Sequence, residues 1–80
     1  MSMINEQNLI QELSKAIEDS DFNIDSTVDN TENWDSLGQL SILATLAKLT
    51  GGKSDSTPEI ALAQSMRELL DVLRNQGLVE

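Results

Sequence analysis

The sequence predicts an all-α fold with three longer helices, one short helix and a long loop between the first two. Apolar residues recur at helical spacing near both ends of the 80-residue chain. No segment shows the period-two alternation of a half-buried strand. Recognisable start and stop signals bracket the periodic segments.

The first helix is predicted from about Met3 to Asp19. Leu9, Ile10, Leu13, Ala16 and Ile17 fall on one face, while Gln7, Gln11, Glu12, Lys15 and Glu18 fall largely on the other. From about Ser20 to Asp35 the chain is rich in Asp, Asn, Ser and Thr. Such side chains bond local backbone and favour turns over helix. This segment reads as one ordered loop pinned by Phe22, Ile24, Val28 and Trp34. A loop of this length in a compact domain is usually functional or disordered, and the spaced apolar anchors argue for order.

The second helix is predicted to begin at Ser36, with Asp35 as its N-cap. Leu37, Leu40, Leu43, Ala44 and Ala47 are the expected inward stripe. Lys48 suits the C-terminal end of the helix dipole, and Gly51-Gly52 supply a left-handed stop. Lys53 to Thr57 reads as a polar linker. Thr57-Pro58 then reads as an N-cap with proline at the first helical position, opening a short helix from about Pro58 to Leu62. Ser65 to Glu68 matches a capping box ahead of the last helix. Met66, Leu69, Leu70, Val72 and Leu73 are its expected buried side, and Gly77 ends it. Residues 1–80 are expected to form a single domain.

Composition narrows the function. Five basic and fourteen acidic residues leave a net charge of −9. That charge repels phosphate backbones and anionic membrane surfaces, so neither nucleic acid nor membrane is an expected partner. Proteins with basic patches are. Much of the acid also serves simply to keep a small domain soluble. Seven acids and no base lie between Glu18 and Asp35, whereas Lys48 is the only charge between Ser36 and Thr50. The chain has no cysteine and no histidine, so neither disulfides nor structural zinc stabilise it. No apolar run approaches the roughly 20 residues that span a bilayer. Met1 to Asn8 lacks a signal-peptide apolar region, and the expected compartment is the cytoplasm.

Trp34-Asp35-Ser36-Leu37 is the most informative motif. Because Asp35 can cap the helix, Ser36 is free of that task. Its hydroxyl stands at a helix start, where backbone N–H groups favour a negatively charged substituent. Without histidine or cysteine, the chain is expected to be modified by an enzyme and not to be one.

Asp35-Ser36-Leu37, between a long loop and the second helix of a small acidic chain, resembles the attachment motif of the acyl carrier protein family. The resemblance covers nearly the whole chain and implies a four-helix carrier-protein bundle. It implies that Ser36 accepts 4′-phosphopantetheine from coenzyme A, with Asp35 and Leu37 completing the cofactor-binding motif. A separate magnesium-dependent phosphopantetheinyl transferase performs that step. The arm then carries an acyl group as a thioester between acyl-activating or acyl-transferring enzymes. A monomer is expected, with no metal site and no catalytic residues. Tethering makes each encounter with a partner quasi-intramolecular.

The second helix departs from the family pattern. Fatty-acid carriers usually bear several acids along it, whereas here glycine, serine, alanine and lysine stand in their place. A partner surface that is small, polar and apolar is expected. That suits a specialised lipid, polyketide or surface-polymer pathway better than housekeeping fatty-acid synthesis. Thr50-Gly51-Gly52-Lys53-Ser54-Asp55-Ser56 also offers few apolar side chains where family members often have more. Gly38, Ser41 and Ala44 could leave a shallow groove, and a short or polar cargo is expected. Aminoacyl or peptidyl carriers share the fold and the modified serine, and that alternative stays open. So does an unmodified acidic helical module that docks on a basic partner.

Trp34 is read first as an anchor tying the loop to the helices through a bonded indole N–H, and second as a contact beside Ser36. Phe22 is read as core. Asp19, Asp21, Asn23 and Asp25 resemble the start of a calcium loop, but Ile24 and Asn30 stand where the glycine and glutamate of an EF-hand belong. Weak, nonspecific divalent binding to this stretch is the most that is expected.

Overall fold

A computed structural model describes residues 4–52 and 58–80. Four helices follow in order: α1 (Glu6–Ala16), α2 (Ser36–Leu49), α3 (Glu59–Leu62) and α4 (Met66–Asn75). Among the described residues there are no strands, only two isolated bridges, Ile4 to Val79 and Thr27 to Ser65. The fold is all-α. Helix α1 packs on α2, and α3 sits against both α2 and α4. Leu9, Leu13, Ile42, Leu46, Ile60, Met66, Leu69 and Leu73 are fully enclosed between them.

The helices begin and end for local reasons. Asn5 caps α1 by accepting from the Asn8 N–H at 2.8 Å, so the helix starts at Glu6 and not near Met3, a residue outside those described. It stops at Ala16, short of Asp19, because Glu18 turns left-handed with φ 54°. There the Asp19 N–H bonds the Ser14 carbonyl at 3.0 Å, a Schellman closure. Helices α2 and α4 close in the same way, with Gly52 N–H on the Ala47 carbonyl at 2.7 Å and Leu78 N–H on the Leu73 carbonyl at 2.9 Å. Glycine occupies the left-handed position in both, Gly51 at φ 64° and Gly77 at φ 72°.

Helix α3 begins one residue after Pro58, which caps it without a side-chain bond. Thr57, the expected cap, and the rest of the Lys53–Thr57 linker lie outside the described residues. At α4, Ser65 accepts from the Glu68 N–H at 3.1 Å as a capping box requires. Its return bond differs from expectation. The Glu68 carboxylate accepts from the Gln64 N–H at 3.2 Å, one residue before the cap.

The expected inward stripe of α2 is wrong by a rotation about the helix axis. The buried row is Gly38, Ile42 and Leu46, while Leu37 and Leu40 are 74% and 63% exposed. Ala44 also faces out, and Leu43 and Ala47 lie half-buried at the margin. Apolar residues surround this helix, so spacing alone selects no face. The crossing loop makes the choice by laying its backbone on Gly38.

That loop is ordered by its own polar side chains. Asp19 Oδ1 accepts from the Asp21 N–H at 2.9 Å, and Asn23 Oδ1 accepts from the Asp25 N–H at 2.8 Å. Thr27 and Asn30 exchange bonds, side chain to backbone N–H in both directions, at 2.8 and 3.2 Å. Phe22 and Trp34 are buried and pack ring against ring, centroids 5.7 Å apart. Ile24 and Val28 pack half-buried on the same core. The loop is then strapped to the α3–α4 junction by Val28 N–H to the Gln64 carbonyl and Met66 N–H to the Ser26 carbonyl, both at 2.9 Å. No buried side-chain nitrogen or oxygen among the described residues lacks a partner.

Candidate functional site

Ser36 is the first residue of α2 and is exposed. The task that usually falls to a serine in this region is performed by its neighbour. Asp35 Oδ1 accepts from the Gly38 N–H at 2.9 Å, and the Asp35 carbonyl accepts the first intrahelical bond, from Gln39 N–H at 2.8 Å. Among the described residues nothing bonds the Ser36 hydroxyl. The N–H groups of the first helical turn ahead of Gln39 have no intrahelical acceptor, so the serine oxygen stands where backbone dipoles favour negative charge.

The position of Ser36 is fixed from behind. Trp34 is 3% exposed and donates its indole N–H to Gln39 Oε1 at 2.7 Å. This agrees with its reading as an anchor. Asn33, one residue earlier, donates from its side-chain amide to the Glu18 carbonyl at 3.3 Å. The two residues that precede the Asp35-Ser36 pair are therefore held, Asn33 to the end of α1 and Trp34 to the start of α2.

Beside Ser36 lies an open groove of ≈ 550 Å³ between the start of α2 and α3. Trp34, Leu40, Ala61 and Leu62 give it an apolar lining, and Gln39 and Gln64 bring amides to it. With Leu37, Leu40 and Leu62 all more than half exposed, the surface around the serine is apolar. From Ser36 to Gly52 it carries no acid and only Lys48. The expectation that Gly38 would help to form a groove fails. Gly38 is buried under the Asn33 backbone, and the groove lies around the helix from it.

The sequence reading placed Ser36, Asp35 and Leu37 together, and they are together at one helix start. It missed Gln39, Leu62 and Gln64. Leu62 and Gln64 come from a distant helix and its following turn, and Gln39 carries no local signature. The carboxylates of Asp19, Asp21 and Asp25 line a separate cavity of ≈ 350 Å³ with Asn23 and Asn30. Among the described residues no group of three or more His, Cys, Asp or Glu is placed to hold a metal ion.

Chemically, the arrangement presents a serine hydroxyl to which no base among the described residues is hydrogen-bonded. A serine hydroxyl is weak until a base withdraws its proton, and the adjacent carboxylate, Asp35, is engaged in the cap. Among the described residues no helix is long and apolar enough to cross a membrane. No protein family, curated protein or solved structure matches this chain.

Proposed function

We propose that this protein is an acyl carrier in which Ser36 bears 4′-phosphopantetheine. The observation that carries the reading is the exposed Ser36 hydroxyl, unbonded among the described residues, at a helix start already capped by Asp35. Such a serine has no structural task to explain it, and the neighbouring N–H groups favour an anionic substituent there. The resemblance of Asp35-Ser36-Leu37, ahead of a second helix in an all-α chain, points to the same group.

In the attachment step the Ser36 oxygen attacks the pantetheine-side phosphorus of coenzyme A. An Oγ–P bond forms, the phosphoanhydride bond breaks, and adenosine 3′,5′-bisphosphate leaves. The serine proton passes to a base on the transferase, since the neighbouring Asp35 carboxylate is engaged in capping the helix. When bound, the arm supplies a terminal thiol for thioester linkage. The residues of the chain then do three things: Asp35 holds the helix start, Trp34 fixes the loop behind it, and Leu37 and Leu40 offer partners an apolar surface beside the attachment point.

The acid-free outer face of α2 supports a specialised pathway over housekeeping fatty-acid synthesis. It also weakens the preference that Asp35 gives to an acyl carrier over the second reading, an aminoacyl or peptidyl carrier. Loading by an acyl-activating enzyme, compared with loading by an amino-acid adenylating enzyme, separates the two. Incubation with a fluorescent coenzyme A derivative and a promiscuous phosphopantetheinyl transferase tests the carrier reading itself. The label is expected on the peptide containing Ser36, and its failure to attach would remove the reading.

A further inference from the structure

The Gln39 side chain bonds at both ends of its amide. Its Oε1 accepts from the buried Trp34 indole at 2.7 Å, and its Nε2 donates to the Ala61 carbonyl at 3.2 Å. One side chain thus joins the loop, α2 and α3 across the groove beside Ser36. Trp34, Gln39 and Ala61 all line that groove. Among the described residues the Gln39–Ala61 bond is the one side-chain hydrogen bond from α2 to α3. Helix α3 is only four residues long. It is held otherwise by buried Ile60 and by the loop straps beyond its C-terminal end. Ile42, Leu46, Ile60 and Leu69, all at 0 or 1% exposure, belong to the one core on which α2, α3 and α4 pack.

We infer that Gln39 is the residue that limits cargo size, by tying Trp34 to Ala61 and keeping a group carried on Ser36 in the open groove, outside the α2–α3 interface. The inference rests on the carrier reading above and names the cargo class, a short acyl group that stays accessible to solvent. Parting α2 from α3 to admit a longer chain requires breaking the Ala61 bond, and displacing Gln39 altogether strands a buried indole N–H, which costs stability.

The test uses the full chain carrying either an acetyl or an octanoyl thioester on its Ser36 arm. Hydroxylamine cleaves each: its nitrogen bonds the acyl carbon, the C–S bond breaks, and the hydroxamate and free thiol are released. Rates are compared with the same acyl group on free pantetheine, and the Trp34 indole N–H is followed by NMR. In the wild type both thioesters are expected to react within about twofold of the free compound, with the indole signal unmoved between them, because neither is shielded from water. Gln39→Ala is expected to slow octanoyl cleavage about tenfold, leave acetyl cleavage unchanged, and shift the indole signal with the octanoyl cargo. Gln39→Asn is one methylene too short to span Trp34 and Ala61 together, and it is expected to change the rates in the same direction. An octanoyl thioester already protected in the wild type overturns the inference, as do folded Gln39 variants with unchanged rates. Failure of the carrier reading looks different: Ser36 never gains the arm, the intact mass does not change, and the inference falls with it.

Discussion

The Asn33 carbonyl oxygen stands 2.0 Å from where a Cβ on residue 38 would lie. Loop backbone and helix therefore meet at Gly38 with no room for a side chain. An alanine replacing glycine inside an open helix normally stabilises by about 1 kcal/mol. Here the sign is expected to reverse. Gly38→Ala should cost about 1–3 kcal/mol, because the neighbour it strikes is backbone and moves only with the loop. Urea unfolding measures this, and a more stable variant would mean that the loop does not cross at this point.

The rotated face of α2 gives a second expectation. Ile42→Ala and Leu46→Ala should each cost about 2–5 kcal/mol, as enclosed core residues do. Leu37→Ala and Leu40→Ala should stay within about 0.5 kcal/mol of the wild type. Thermal unfolding of the four variants distinguishes this orientation from one with Leu37 and Leu40 inside.

Asp35 and Ser36 should separate cleanly in stability. Asp35→Ala removes the cap on Gly38 and is expected to cost about 1 kcal/mol. Ser36→Ala removes a hydroxyl that bonds nothing among the described residues, and should change stability by less than about 0.5 kcal/mol. A large loss on Ser36→Ala would show that the serine has a structural task after all.

Glu18 is the one non-glycine residue among those described with a positive φ. Its side chain is exposed, and the backbone position matches that of Gly51 and Gly77. Glu18→Gly is expected to be neutral or to stabilise by up to about 1 kcal/mol, since a left-handed conformation is strained for residues with a Cβ. Denaturant midpoints of the two proteins provide the comparison.

Helices α1 and α4 were legible in the sequence because each has a single apolar stripe and a polar reverse. Leu9, Leu13, Leu69 and Leu73 lie where their spacing places them. Helix α2 was legible in extent but not in orientation. Leu37, Leu40, Ile42, Leu43 and Leu46 surround it, and only the tertiary crossing at Asn33 decides that Gly38, Ile42 and Leu46 turn inward. The Ser36 end of the site could be read because capping is local: an acid before a helix bonds the N–H groups that follow it. The other wall of the groove could not. Ala61, Leu62 and Gln64 lie more than twenty residues away, and the bridging role of Gln39 depends on Trp34 being buried at a particular angle.

The central claim concerns one hydroxyl, and intact-protein mass spectrometry tests it most directly. The chain and its Ser36→Ala variant are incubated with coenzyme A, magnesium and a promiscuous phosphopantetheinyl transferase. The account expects the wild type to gain the mass of one phosphopantetheinyl group and the variant to gain nothing. A wild-type mass that stays unchanged, or an equal gain on the variant, would contradict it.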